Sequence, residues 1–249
     1  MRARPSERKK SLGQCFLEDR NILRLEAGLA KPEGKTVLEI GAGDGRLTEA
    51  LLALKPKKII AVELDSGFAS LLREKFAGQP VEILEADVME AELPQVDVVV
   101  GNIPYYISSG IIFRLAPLHF ARAVLMVQKE FAEKMAAIPG KSNYGRLSVT
   151  AQLSYDVVVE RKVLRHLFRP VPKVDSAIIL LKPKSIHLTS LQENVIRSLF
   201  QHKNRTVRNA LLSSKLFDDA AVSRLGGFLA RRPRTLTKEE CLEIAALLA

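Results

Sequence analysis

The segment Asn102-Ile103-Pro104-Tyr105 carries groups suited to chemistry on a planar amine. The exocyclic N6 of adenine is such an amine, and a poor nucleophile, because its lone pair is delocalised into the ring. Two acceptors set on its hydrogens would favour a more tetrahedral nitrogen and stabilise the positive charge that develops as it attacks a methyl donor. The Asn102 side-chain carbonyl and the Pro104 backbone carbonyl are those two acceptors. No strong general base is required, since the methylated ammonium is acidic and can lose its proton to water. Tyr105 offers a face on which the target base can stack. Taken alone, the segment also reads as a proline-kinked loop with two core tyrosines, Tyr105 and Tyr106.

A methyl donor needs a site, and the run Val37-Leu38-Glu39-Ile40-Gly41-Ala42-Gly43-Asp44-Gly45 supplies one. A glycine-rich turn between strand and helix lets a ligand approach the backbone, because no Cβ stands in the way. A dinucleotide site requires G-x-G-x-x-G. Here the third glycine comes one residue early and Arg46 stands where the last would be. G-x-G-x-G after a strand ending in Glu instead fits S-adenosylmethionine, with Gly41 and Gly43 against the ligand. About twenty residues on, Glu63 ends a second strand, where a carboxylate can accept from both ribose hydroxyls. Asp87 follows a third strand and can accept from the adenine amine of the cofactor.

These features fall at successive strand ends, which sets the architecture. Short β-branched runs predict strands over Thr36–Ile40, Lys58–Val62, Val81–Leu84, Val96–Val100 and Val124–Val127. Leu47 to Leu54 and Phe68 to Phe76 have apolar residues at helical spacing. Such alternation predicts an α/β, mostly parallel sheet covered on both faces; with the glycine turn above, it reads as a Rossmann-like S-adenosylmethionine methyltransferase sheet. Val157–Val163 and Ala177–Leu181 predict two further strands, antiparallel at one edge. Beyond Lys182-Pro183-Lys184 the signal is helical: Leu188–Gln201, Arg205–Ser213 and Lys238–Leu248. Thr237 followed by Glu240 forms a capping box for the last. The expected domains are therefore residues 1–184 and a small all-helical domain over 185–249.

The net charge of +10 and pI of about 9.7 suit a chain that meets phosphate backbones. The basic residues cluster: Arg2, Arg4, Arg8, Lys9 and Lys10; His202, Lys203, Arg205 and Arg208; Arg231, Arg232 and Arg234. Lys203, Arg205 and Arg208 are the candidate RNA contacts. No apolar run approaches the roughly 18 residues of a membrane span. Met1 to Gln14 is polar and basic, unlike a secretory signal. Cys15 and Cys241 form no CxxC pair, which argues against a disulfide framework or a metal site and for a reducing cytoplasm. An adenine inside a duplex could not reach the pocket, so the target must be unpaired or flipped out. A single-stranded or loop adenosine in RNA is the cheaper target.

Together these motifs resemble the KsgA-type small-subunit rRNA adenine dimethyltransferases. The match runs in order through Gly13-Gln14-Cys15-Phe16-Leu17, Glu39-Ile40-Gly41-Ala42-Gly43, Val62-Glu63-Leu64-Asp65, Asn102-Ile103-Pro104-Tyr105, Gln128-Lys129-Glu130, Tyr144-Gly145-Arg146-Leu147-Ser148 and Pro172-Lys173-Val174-Asp175-Ser176-Ala177. The resemblance implies dimethylation of two adjacent adenosines in the loop of the last helix of small-subunit rRNA during ribosome assembly. It implies S-adenosylmethionine contacts from Leu17, Gly41, Glu63, Asp87 and Asn102. It also implies that Asn102, Pro104, Tyr105 and Phe168 hold the target base, Phe168 as a second aromatic wall. The C-terminal helices would grip the small ribosomal subunit, and a monomer is expected. The stretch Leu199 to Arg208 looks archaeal or eukaryotic in type.

Two positions depart from the family pattern. Cys15 stands where relatives commonly have Asn, which leaves a backbone contact to the cofactor and puts a side-chain contact in doubt. Tyr106 stands where many have Asn and adds stacking surface. The nearest rival is the antibiotic-resistance family that methylates one adenine of large-subunit rRNA. It shares GQxFL and NxPY, whereas Tyr144-Gly145-Arg146-Leu147 and Lys173-Val174-Asp175-Ser176 favour the small-subunit enzymes. A non-catalytic assembly factor is disfavoured by intact Gly41, Glu63, Asp87 and Asn102.

Overall fold

The computed structural model describes residues 15–184 and 188–249. The basic group Arg2, Arg4, Arg8, Lys9 and Lys10, and the Gly13-Gln14 start of one motif, lie outside the described residues. In chain order the elements are β1 (Phe16–Leu17), α1 (Arg20–Ala30), β2 (Thr36–Ile40), α2 (Arg46–Leu52), β3 (Lys58–Glu63), α3 (Ser66–Lys75) and β4 (Val81–Glu85). There follow β5 (Val98–Asn102), α4 (Ser108–Leu115), β6 (Arg122–Gln128), α5 (Lys129–Met135), α6 (Arg146–Ser154), β7 (Tyr155–Val163), β8 (Phe168–Arg169) and β9 (Ser176–Pro183). The helices α7 (Ser190–Gln201), α8 (Val207–Ser213), α9 (Asp219–Ser223) and α10 (Lys238–Leu247) complete the chain.

The chain divides into two compact units. The first runs to Ala132 and resumes over Val158–Pro183. It holds a seven-stranded sheet in the order β4-β3-β2-β5-β6-β9-β7. The five central pairs from β4 to β9 are parallel except β6 with β9, which is antiparallel. The two late strands do stand together at one edge, as their short connection implies. Strand β5 is almost wholly buried and its residues Val98, Val99 and Val100 have no exposed surface, as befits a strand covered on both faces. The order reverses between β2 and β5, and ligands bind at such a switch point, beyond the strand ends.

Strand β5 ends two residues later than its apolar run suggests. Gly101 and Asn102 still pair with Leu125 and Met126 of β6. The continuation depends on Gly101: a Cβ there would lie 2.6 Å from the Ile40 carbonyl oxygen. Two strand ends therefore approach as closely as backbone allows, and Asn102 closes a strand rather than starting a loop. Helix α1 escapes the apolar-spacing reading. Asp19 caps it, accepting from the Asn21 and Ile22 N–H groups at 2.8 and 3.0 Å. Its buried face is Leu23, Glu26, Ala27 and Ala30, an apolar stripe broken by one carboxyl.

The second unit is Glu133–Val157 together with Lys184–Ala249. The sequence reading divides the chain near Lys184 and groups residues 133–157 with the first domain; in the fold those residues cluster with the second unit. The reason is packing. Tyr144, Val149 and Leu153 share a core with Val195, Leu199, Leu236 and Ile244. Tyr144 sets its ring edge-on to Phe200, with centroids 5.7 Å apart, and donates its hydroxyl to the Leu236 carbonyl at 2.7 Å. The Thr237–Glu240 capping box forms, with bonds of 2.8 and 3.1 Å.

Candidate active site

The glycine turn after β2 is built on left-handed backbone: φ is 73° at Gly41, 55° at Gly43 and 80° at Gly45. A side chain at any of them would be strained. Its shape is locked from two sides. The Gly41 N–H donates to the Val62 carbonyl at 2.9 Å. The Gly43 N–H donates to the Glu63 carboxylate at 2.8 Å, and the Asp65 N–H donates to its other oxygen at 2.9 Å. Glu63 is 5% exposed, so the end of β3 is fastened to the turn by a nearly buried carboxylate. Each of its oxygens keeps a lone pair for a further donor, such as a ribose hydroxyl.

One cleft gathers the expected residues. Cys15, Leu17, Gly41, Gly43, Glu63, Asp87, Asn102, Pro104, Tyr105 and Phe168 all line it. Asp87 is exposed there, and its carboxylate accepts the Met89 N–H at 2.8 Å. Leu17 and Phe168 face one another across the β1–β8 pair. Arg46 donates to the Leu17 carbonyl at 3.1 Å, which holds that short strand against the glycine turn. Phe168 is only 3% exposed and packs in the main core with Leu17. It is thus both a cleft wall and a core residue. Tyr106 is 66% exposed at the same cleft.

The Tyr105 hydroxyl lies 2.7 Å from Ser176 Oγ. Burial pushes this phenol above its ordinary range although the Ser176 bond opposes the shift, so it stays protonated. Ser176 belongs to a motif read from the sequence, but its hydrogen bond to Tyr105 appears only in the structure. The Pro104 carbonyl is partly used already. It accepts the Ile107 N–H at 3.1 Å and the Ser108 hydroxyl at 3.4 Å. A substrate amine reaching it would displace the long Ser108 bond.

Two buried carboxyls adjoin this site: Glu39, which the sequence places in the glycine motif without a task, and Glu26, which sequence reasoning passed over. Glu39 is 1% exposed; Thr48 donates to one oxygen at 2.7 Å and the other has no hydrogen-bond partner among the described residues. Burial, helped by Glu63 and Asp44 and opposed by the Thr48 bond, pushes it up to about 8. Glu26, with no exposed surface, lies beside Asn102. Burial first, and Glu39 second, hold it well above the ordinary range. The signal for both is a carboxylate in an otherwise apolar stripe or strand.

The three candidate RNA contacts are in the second unit, and they differ. Lys203 donates to the Ser142 and Tyr144 carbonyls, both at 2.8 Å, so its amine is engaged in the fold. Arg208 pairs with Asp219 at 2.5 Å. Arg205 donates to Ser213 at 3.1 Å and lines a polar depression with Asn204, Asn209 and Arg232. Arg231, from the third basic cluster, is paired with Glu240 at 2.5 and 2.9 Å. Among the described residues no group of His, Cys, Asp and Glu gathers to hold a metal ion, and no helix is long and apolar enough to cross a membrane.

The profile of the ribosomal RNA adenine dimethylase family matches residues 6–241. A probable ribosomal RNA small subunit methyltransferase A from Methanopyrus kandleri is 42% identical, with 96% of this chain and 91% of the relative covered. Its counterpart from Thermococcus gammatolerans is 38% identical over 96% of this chain and 88% of the relative. Among solved structures, a dimethyladenosine transferase from Plasmodium falciparum superposes with a TM-score of 0.82 at 34% identity, covering 92% of this chain and 95% of that one. The 23S rRNA methyltransferase ErmE superposes with a TM-score of 0.70 at 29% identity, covering 94% and 99%. The cleft beyond β2, β3 and β5 thus sits in a chain that belongs to the ribosomal RNA adenine dimethylase family.

Proposed function

We propose that this cleft dimethylates the N6 amines of two adjacent adenosines near the 3′ end of small-subunit rRNA, using S-adenosylmethionine, during ribosome biogenesis. The observation that carries the reading is the convergence of Asn102, Pro104 and Tyr105 with Gly41, Glu63 and Asp87 on one cleft. The site fits the methyl donor. Gly41 lines the cleft with a φ of 73°, a backbone conformation that side chains rarely adopt, so glycine lets a ligand approach the backbone between the ends of β2 and β5. Glu63 is set to take a diol, and Asp87 an exocyclic amine. When bound, S-adenosylmethionine supplies an electrophilic methyl group on a cationic sulfur.

The residues of the chain then do the rest. Tyr105, fixed by Ser176, stacks on a base that has left its helix; flipping costs a few kcal/mol, least in a loop. The Asn102 carbonyl accepts one N–H of the target amine and draws its lone pair out of the ring. The Pro104 carbonyl takes the second N–H in exchange for Ser108. After one transfer the amine retains a single N–H, so the second transfer needs one acceptor, which Asn102 provides. The product ammonium loses its proton to water. Arg205, Arg208 and the N-terminal basic group supply phosphate contacts on the small subunit, where the chain acts as a cytoplasmic monomer.

The test is to give the purified protein S-adenosylmethionine with unmethylated small subunits and, separately, with unmethylated large subunits, then digest each rRNA and look for dimethyladenosine. Its absence overturns the proposal; product in large-subunit rRNA favours the activity named for ErmE. Asn102→Ala should lower the rate by about 100-fold or more while leaving subunit binding largely intact. A fully active variant would refute the assigned chemistry.

A further inference from the structure

Glu26 is the buried ionisable group nearest the proposed chemistry that the mechanism above leaves without a task. It lies on the face of α1 that also buries Leu23, Ala27 and Ala30. An apolar side chain would satisfy that face at no electrostatic cost, whereas a buried carboxyl is expensive unless a partner repays it. The partner is Asn102. With the Asn102 amide turned so that its nitrogen faces α1, that nitrogen lies 3.1 Å from both Glu26 carboxyl oxygens. Turned the other way, the amide oxygen would face two acceptors in the carboxylate form and would have only the single O–H of the acid form to meet it.

We infer that Glu26 is a positioning residue: by taking the amide N–H bonds of Asn102, it fixes the opposite, oxygen-bearing edge of that amide for the target amine. The inference rests on the proposed role of Asn102 as acceptor. An asparagine amide is nearly symmetric in shape and opposite in polarity at its two edges. A free Asn102 would present its NH2 group to the target amine in part of its population, and donor would then meet donor. Glu26 removes that half of the ensemble before substrate arrives, which is preorganisation of a reacting group. The strand and the helix are both fixed independently of substrate. Asp19 caps α1, and Asn102 is held in the ladder opposite Met126.

The experiment compares Glu26→Leu, Glu26→Gln, Asn102→Ala and the Glu26→Leu/Asn102→Ala double variant. Leu matches the apolar face but removes the acceptor; Gln keeps an acceptor of the same size. Methyl transfer to small subunits gives kcat and KM, and calorimetry gives S-adenosylmethionine affinity. Glu26→Leu should lose about 10- to 100-fold in kcat, with KM for the subunit and cofactor affinity within about threefold of the parent. Glu26→Gln should recover most of that loss, and the double variant should be no slower than Asn102→Ala alone. The Asn102 side-chain amide signals in a 15N spectrum, identified by their disappearance in Asn102→Ala, should shift in Glu26→Gln and sharpen toward free-amide values in Glu26→Leu. A Glu26→Leu variant with parental kcat, additive losses in the double variant, or unmoved Asn102 signals would overturn the inference. Should Glu26→Leu fail to fold, the Asn102 signals in Glu26→Gln decide it alone. If Asn102→Ala itself keeps its rate, the proposed chemistry fails rather than the pairing.

Discussion

Glu39 ends up almost free of water, 1% exposed in the middle of the motif that leads to the glycine turn. Its carboxyl, raised to about 8 from an ordinary 4.5, holds its proton more tightly in the folded chain than in the unfolded one. The associated stability is complete below about pH 4.5 and drains away as pH rises toward about 8. Thermal unfolding midpoints should therefore fall between pH 5 and pH 8, and Glu39→Gln should flatten part of that slope, worth on the order of 4 kcal/mol. Glu26 is shifted in the same direction and accounts for slope that remains. A Glu39→Gln curve parallel to the parent's would contradict this. Of the two buried carboxyls, Glu26 was the less legible. Asn102, Glu63 and Asp87 stand in motifs whose spacing announces them. Glu26 does not, because a glutamate among alternating charged residues reads as a solvated one, and only the packing of α1 shows it turned inward.

At the level of elements, β2, β3, β4, β6 and the helices α7, α8 and α10 were readable because β-branched runs, apolar spacing and caps agree within each, whereas the short α9 was missed. The two-residue strands β1 and β8 were not, since nothing local makes them; they exist as partners of one another. Helix α1 was hidden by Glu26, which interrupts its apolar stripe. The end of β5 was misplaced because Gly101 and Asn102 are poor strand formers by propensity, and cross-strand pairing overrides that. The approach of β5 to β2 at Gly101 is correspondingly intolerant. Gly101→Ala should cost about 2 kcal/mol or more, read as a lower urea midpoint, because the intruding Cβ meets backbone and not a yielding side chain. If that variant matched the parent in stability, the close approach at 2.6 Å could not be as drawn.

For the molecule as a whole, the charge of +10 suited a phosphate-binding surface or a merely soluble one, without saying which cations would face a partner. The structure sorts them by whether they already have work. Raising salt from about 50 to about 200 mM should weaken subunit binding tenfold or more, and Arg205→Ala should lower the salt slope by about one phosphate contact. Lys203→Ala should behave differently. It removes bonds to the Ser142 and Tyr144 carbonyls, so its main effect should be a lower unfolding midpoint with the salt slope nearly kept. A Lys203→Ala protein of parental stability and reduced slope would reverse that assignment. The division of the chain was half legible: the change of composition at Lys184 is plain, whereas residues 133–157 carry no mark of the core they join. That second unit is sewn from two stretches of chain. A gene that exchanged everything after Lys184 for another helical module would leave Tyr144, Val149 and Leu153 facing water. Inheritance can alter the two units by substitution, but recombination cannot shuffle them as separate cassettes.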